Sequence, residues 1–334
     1  MRSSSNSPGS IDAVDQLLRQ QPDWATAYVW RRPSSLAQTG ALAEAITSYD
    51  QAIRRNPDLL SAYVAVGRTL LRAGEPTQAI ERYTTAIQHA PDEAHLYLQR
   101  AQAYEQNRAP QRAIDDYTVA LSLDPTLIPA YIGRGRRYVA QENWERAFAD
   151  FDQILALQPG DARALMERGR AYVQQQNWPA AISEFTLGIA NNPNWAALYF
   201  ERGQVYGHEQ AWEQAIADFS QSLNLEPGQL EVYRARAQAY IRQQNWAGAL
   251  ADWSYVIAHA PHPAPAYVSR GNVYRAMGQL QMALADYDEA IALAPESAWA
   301  YFERGVLYRQ LGNRAQALAD LRQVLQLNPN ANLH

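Results

Sequence analysis

The sequence predicts an all-α solenoid of tandem helix-turn-helix units, and three observations carry that prediction. Pro57, Pro91, Pro125, Pro159, Pro193, Pro227, Pro261, Pro295 and Pro329 recur every 34 residues without a slip in register. Within each period the apolar and small residues return at helical spacing: Tyr267, Gly271 and Tyr274 at i, i+4 and i+7, then Ala283, Tyr287 and Ala290 beyond Gly278. No part of the repeats alternates apolar and polar as a half-buried strand would. A unit this short cannot bury its apolar face alone, so successive units must stack into one elongated array.

The elements follow in order. Residues 1–10 (MRSSSNSPGS) are Ser-rich and lack an apolar core segment, so they read as a disordered leader and not a signal peptide. Residues 11–24 hold IDAVDQLLRQQ before Pro22, the pattern of a second helix without its partner, and are expected to cap the N-terminal end. Residues 25–331 form nine units. The first carries one extra residue between Pro22 and Pro57, and Pro33 is expected to break its first helix near Trp30 to Ser34. Each later unit reads as helix, tight turn, helix, stopped by its period proline, which lacks an N–H and restricts the residue before it. Residues 332–334 are a short tail. With no polar closing helix after Pro329, Leu318, Leu321 and Leu325 should be partly exposed, which suggests docking of a partner, self-association, or a chain that is one piece of a longer protein.

Composition removes several classes of function. The 29 basic residues are all arginine against 34 acids, for a net charge of −5, too acidic for a typical nucleic-acid module. A mean hydropathy of −0.43 and the lack of any long apolar run argue against membrane insertion. There is no cysteine, so neither disulfides nor thiolate metal sites contribute, and a reducing, cytoplasmic setting is the simplest expectation. The six histidines form no metal-ligand spacing, His259 and His262 lying in the stiff HAPHPAP connection, and no catalytic set or cofactor site is evident. Gly133 and Gly135 in GRGRR fall in a predicted helix and not after a strand, so a phosphate-loop reading fails.

Alignment of the units gives columns with a packing reason. Gly67, Ala101, Gly135, Gly169, Gly203, Ala237, Gly271 and Gly305 are small, as are the alanines recurring every 34 residues from Ala45 to Ala317, so paired helices can approach closely. Tyr104, Tyr138, Tyr172, Tyr206, Tyr240, Tyr274 and Tyr308 on first helices are expected in the core, with Tyr117, Phe151, Phe185, Phe219, Trp253 and Tyr287 on second helices. The order aromatic, small, aromatic, Ala, aromatic, small, Pro resembles the tetratricopeptide repeat family over about residues 25–331. The resemblance implies a right-handed superhelix whose first helices line a concave groove, and a non-enzymatic scaffold for protein or peptide partners.

Further columns bear on function. Arg100, Arg134, Arg168, Arg202, Arg236, Arg270 and Arg304 are each followed after sixteen residues by an acid, Asp116, Asp150, Glu184, Asp218, Asp252, Asp286 and Asp320. Where Val66 replaces the arginine the acid is also gone, at Arg82, so the columns read as structural ion pairs and not as a rail for phosphate. Trp144, Trp178, Trp212 and Trp246 read as packing at the hairpin turn rather than a stacking platform. The resemblance turns two first-helix columns toward the groove: Arg68, Gln102, Arg136, Arg170, Gln204, Gln238 and Asn272, beside an apolar row that includes Leu98, Ile132, Met166 and Phe200. Such groups can bond to the main chain or carboxylates of an extended peptide while the apolar row takes side chains. The inner columns hold Arg68, Arg72, Arg136, Arg163, Arg170, Arg234, Arg242, Arg275 and Arg309 against Glu105 and Glu231, which predicts a positive groove for an acidic or carboxylate-bearing peptide. The chain has no lysine, so a lysine clamp for a terminal carboxylate is not expected. The alternative function is an architectural or regulatory arm of a larger enzyme or assembly, docked through its C-terminal end.

Overall fold

The computed structural model describes residues 42–328. The expected leader, the capping helix, the break at Pro33 and the tail lie outside the described residues, as does Pro329. The chain divides into two compact units, Met1–Pro159 and Gly160–His334. In the first, α1 (Leu42–Arg55) is followed by the pairs α2 (Leu60–Arg72) with α3 (Pro76–His89), α4 (Ala94–Gln106) with α5 (Pro110–Leu123), and α6 (Ile128–Ala140) with α7 (Trp144–Leu157). In the second the pairs are α8 (Ala162–Gln174) with α9 (Trp178–Asn191), α10 (Ala196–His208) with α11 (Trp212–Leu225), α12 (Leu230–Arg242) with α13 (Trp246–His259), α14 (Ala264–Ala276) with α15 (Leu280–Leu293), and α16 (Ala298–Gln310) with α17 (Arg314–Leu327). First helices all span 13 residues and second helices 14, with no strand among the described residues, so each unit is an α-solenoid.

Each hairpin turns through one residue in the left-handed region. Gly74, Gly278 and Gly312 fill that place in three repeats, and Arg108, Glu142, Gln176, Gln210 and Gln244 do so elsewhere with φ of 55 to 58°. The asparagine two helices share at the turn then satisfies a free N–H: Asn143, Asn177, Asn245 and Asn313 each accept from the third residue of the following helix. Pro76 and Pro110 open their helices where no N–H is needed.

The second-helix rings are fully buried and lie against the small column. A Cβ on Gly135, Gly169 or Gly203 would press into Phe151, Phe185 or Phe219. Ala101 breaks that rule, and the ring of Tyr117 instead occupies the space left by Gly133 of the next repeat. The first-helix tyrosines are a correction to the expected core: Tyr104, Tyr206, Tyr240, Tyr274 and Tyr308 are only half-buried, each ring lying beside the guanidinium of its repeat's arginine.

Burial pushes the hydroxyl of Tyr49 up to about 12, and those of Tyr83, Tyr117 and Tyr287 higher still. An unfolded chain gives up these protons near pH 10 while the native chain keeps them, so stability must fall as pH rises past 10. Alkaline titration followed by ultraviolet absorbance should show a reversible set of exposed tyrosines, with the buried set ionising only together with loss of helical circular dichroism. Ionisation of all tyrosines before any helix is lost would contradict this packing.

Candidate functional site

The arginine and acid columns form the frame on which any site is mounted. Arg100, Arg134, Arg202, Arg236, Arg270 and Arg304 each donate through Nε and Nη2 to the two carboxylate oxygens of the acid sixteen residues on, at 2.6 to 3.0 Å. Arg168 does so singly to Glu184 at 2.8 Å. The Nη1 of the six reaches back to the preceding repeat and donates to Thr84, Thr118, Thr186, Ser220, Ser254 or Asp288. Each arginine therefore joins two helices of its own repeat and clips that repeat to the one before. In the exceptional repeat Val66 is buried and Arg82 turns to Asp50 at 3.1 Å. These arginines are occupied by their acid partners.

Of the polar column, Arg68, Arg136 and Gln238 are exposed and Gln102, Arg170, Gln204 and Asn272 half-buried. Several are tied down. Asn272 accepts the hydroxyl of Tyr287 at 2.6 Å, and Gln102 accepts a weak bond from Gln99. Arg170 donates to Glu201 at 2.8 Å and lies 3.5 Å from Glu167. In the apolar row Leu98 and Met166 are buried, while Ile132 and Phe200, like Val64 and Phe302 at the same place in other repeats, are half-exposed.

The expected excess of positive charge is also corrected. Glu201 and Glu303, in a first-helix column absent from the charge count, pair with Arg170 and with Arg275 at 2.8 Å, while Arg163 bonds Asp161 at 3.1 Å. Glu105, which burial pushes up and Arg137 pulls down, bonds that arginine at 3.1 Å and accepts from Tyr117. Arg242 stands exposed with no ion pair among the described residues.

Gln204 and Gln238 are brought together, and sequence spacing did not show what lies between them. They face a cavity of about 820 Å³ between α10 and α12. Its floor is Phe219, Ala235 and Ala239, its walls Trp212 and Ile241, and its rim the two glutamines, His208 and Arg242. The opening depends on Gly207. Its equivalents in other repeats are Leu71, Glu105, Val139, Val173, Ile241, Arg275 and Arg309, so Gly207 is a departure that alignment of the columns alone could have exposed. His208 is held by stacking on Trp178, with ring centres 4.9 Å apart and planes within 4°. The tryptophans are half-buried, and Trp178, Trp212 and Trp246 each pack on a core cluster, as a structural column should. Trp212 alone of these also lines the cavity.

His259 bonds the Tyr255 carbonyl and stacks on that ring, and no group of three metal-binding side chains exists among the described residues. Among the same residues no helix is long and apolar enough to cross a membrane.

An apolar floor under amide and cationic groups, on a frame of repeated helix pairs, defines a helical-repeat scaffold that presents a binding surface. Models of the tetratricopeptide repeat match residues 64–128, 135–199 and 298–331, and a TPR repeat model matches 271–312; the chain belongs to the tetratricopeptide repeat family. Members generally serve as non-enzymatic scaffolds that bind protein partners. Among solved structures, the chain is similar to PilW, a type IV pilus biogenesis factor, at 18% identity and a TM-score of 0.54, over 61% of this chain and 94% of that one. It is also similar to the APC/C hetero-tetramer Cut9–Hcn1, at 16% identity and a TM-score of 0.53, over 89% of this chain but only 58% of that one. Both show the fold alone. No curated protein matches the chain.

Proposed function

We propose that this scaffold holds an extended segment of a partner protein against its first helices, with the cavity between α10 and α12 as the principal pocket. The observation that carries the reading is Gly207, which leaves an apolar floor open where neighbouring repeats place a side chain. A large apolar side chain of the partner enters over Phe219, Gln204 and Gln238 bond its main chain, and Arg242 attracts a nearby carboxylate. Phe200 and Asn272 serve as flanking contacts in the second unit, and Arg68, Gln102, Ile132 and Arg136 as the corresponding first-helix contacts of the first. The preference for acidic segments thus rests on a few exposed arginines, Arg242 foremost, and not on a uniformly positive surface. A cytoplasmic setting fits a chain without cysteine.

The test is a random-peptide display selection on the wild type, Gly207→Val and Arg242→Gln. Valine is what Val139 and Val173 provide at this place, and a Cβ here would make only ordinary contact with Trp212, so the fold should be unchanged. Peptides enriched by the wild type should pair a large apolar residue with a carboxylate. Burying such a side chain is worth about 1.5–3 kcal/mol, so Gly207→Val should weaken them at least about tenfold. Arg242→Gln should keep the apolar residue and lose the acid. Unchanged binding by Gly207→Val would remove the cavity from the site.

A further inference from the structure

The last helix pair among the described residues carries a surface whose counterpart in every preceding pair of the second unit is covered. Between repeats, two aliphatic residues of one second helix are closed over by two residues seven apart on the next first helix. Leu198 and Val205 close over Ile182 and Ile189, Val232 and Ala239 over Ile216 and Leu223, Ala266 and Val273 over Leu250 and Ile257, and Ala300 and Leu307 over Leu284 and Ile291. On α17 the equivalents of Leu284 and Ile291 are Leu318 and Leu325, which are 55% and 44% exposed where Leu223 is 6%. The template for what covers such a face is therefore written in the chain itself: a helix with aliphatic or small residues at i and i+7.

The same template contains a charge, and on α17 its sign is inverted. Four residues after the first covering residue, each internal first helix places the arginine that donates to the previous repeat: Arg270 to Ser254 at 3.0 Å, Arg304 to Asp288 at 2.7 Å. The accepting column runs Thr84, Thr118, Asp152, Thr186, Ser220, Ser254 and Asp288, and then, on α17, Arg322. Arg322 is exposed and makes no ion pair among the described residues. A first helix of this chain's own kind would set arginine against arginine there. A second copy of the chain is disfavoured for the same reason, since its described first helices carry arginine at that place except for Val66 of α2.

We propose that the outer face of α17, formed by Leu318, Arg322 and Leu325, docks an amphipathic helix of a different protein. That helix has aliphatic residues at i and i+7 and a carboxylate at i+4. The aliphatic pair covers the two leucines as Ala300 and Leu307 cover theirs, and the carboxylate meets Arg322 in place of the internal arginine clip.

The experiment uses the full chain and a fluorescent peptide of residues 296–312, stapled on its outward face, in two forms: the native sequence, and one with Arg304→Glu. In fluorescence anisotropy the glutamate form should bind at least about fivefold tighter, the scale of one favourable surface charge contact set against a repulsive one. On the variant Arg322→Asp the order should reverse, and Leu318→Asp should abolish binding of both peptides. These side chains are exposed, so circular dichroism should report unchanged helix in both variants. Equal affinity of the two peptides, no binding of either, or indifference to Leu318→Asp overturns the proposal. Self-association of the wild type in light scattering, relieved by Leu318→Asp, would name a second copy as occupant and overturn it as well.

Discussion

Asp252→Ala should destabilise the protein by about 3–4 kcal/mol, far more than removal of an exposed acid in the same fold. Asp252 is buried and accepts from Arg236 at 2.9 and 2.7 Å. Arg236 also donates to Ser220 at 3.0 Å and sits between the rings of Tyr233 and Tyr240, 5.5 and 5.8 Å from their centres. Truncation of the acid leaves a guanidinium largely out of water and facing an empty place. The control is Asp50→Ala, whose partner Arg82 is more exposed, and there the cost should stay under about 1 kcal/mol. Denaturant unfolding followed by circular dichroism measures both. Equal costs at the two sites would show that the buried pairs hold no more than surface ones. The double change Arg236→Met with Asp252→Leu should recover much of the loss, because no charge is then left without a partner.

Gly133→Val should cost about 2–3 kcal/mol in the first unit, although Gly133 lies in a helix where most substitutions would raise intrinsic helix propensity. The ring of Tyr117 fills the space into which the new side chain would grow, and both are buried. Ala101 is the cause, since it occupies the slot that Gly67 or Gly271 leaves for the ring of its own repeat. Adding Ala101→Gly should therefore return more than half of the loss, despite a glycine inside α4 costing about 1 kcal/mol. A double-mutant cycle reads the coupling, which should exceed about 1 kcal/mol. Additive effects would mean that Tyr117 does not choose between the two slots.

The ion-pair columns were legible because spacing of sixteen residues across a fixed hairpin places both partners at the same site in every repeat. The shared loss at Val66 and Arg82 made the pairing visible from letters alone. The third partner was not visible. Thr118, Ser220 and Ser254 become partners only when the preceding repeat is laid against the arginine. The charge of the first-helix face misled for a similar reason: Arg170 meets Glu201 and Arg275 meets Glu303 across neighbouring repeats, and no periodicity announces that two columns come within reach. Leu98 and Met166 read as lining because an apolar row beside a polar one does not reveal which side of the helix the next repeat covers.

The period, the helix pairs, the stops at each proline and the arginine–acid pairs were determined by the sequence, since each depends on local spacing that repeats identically. Tertiary structure decided which cations remain free, where Tyr117 places its ring and where an apolar floor opens between α10 and α12. Those outcomes depend on how closely particular side chains of successive repeats approach. A missing side chain at Gly207, or an extra methyl at Ala101, changes that approach without disturbing the period.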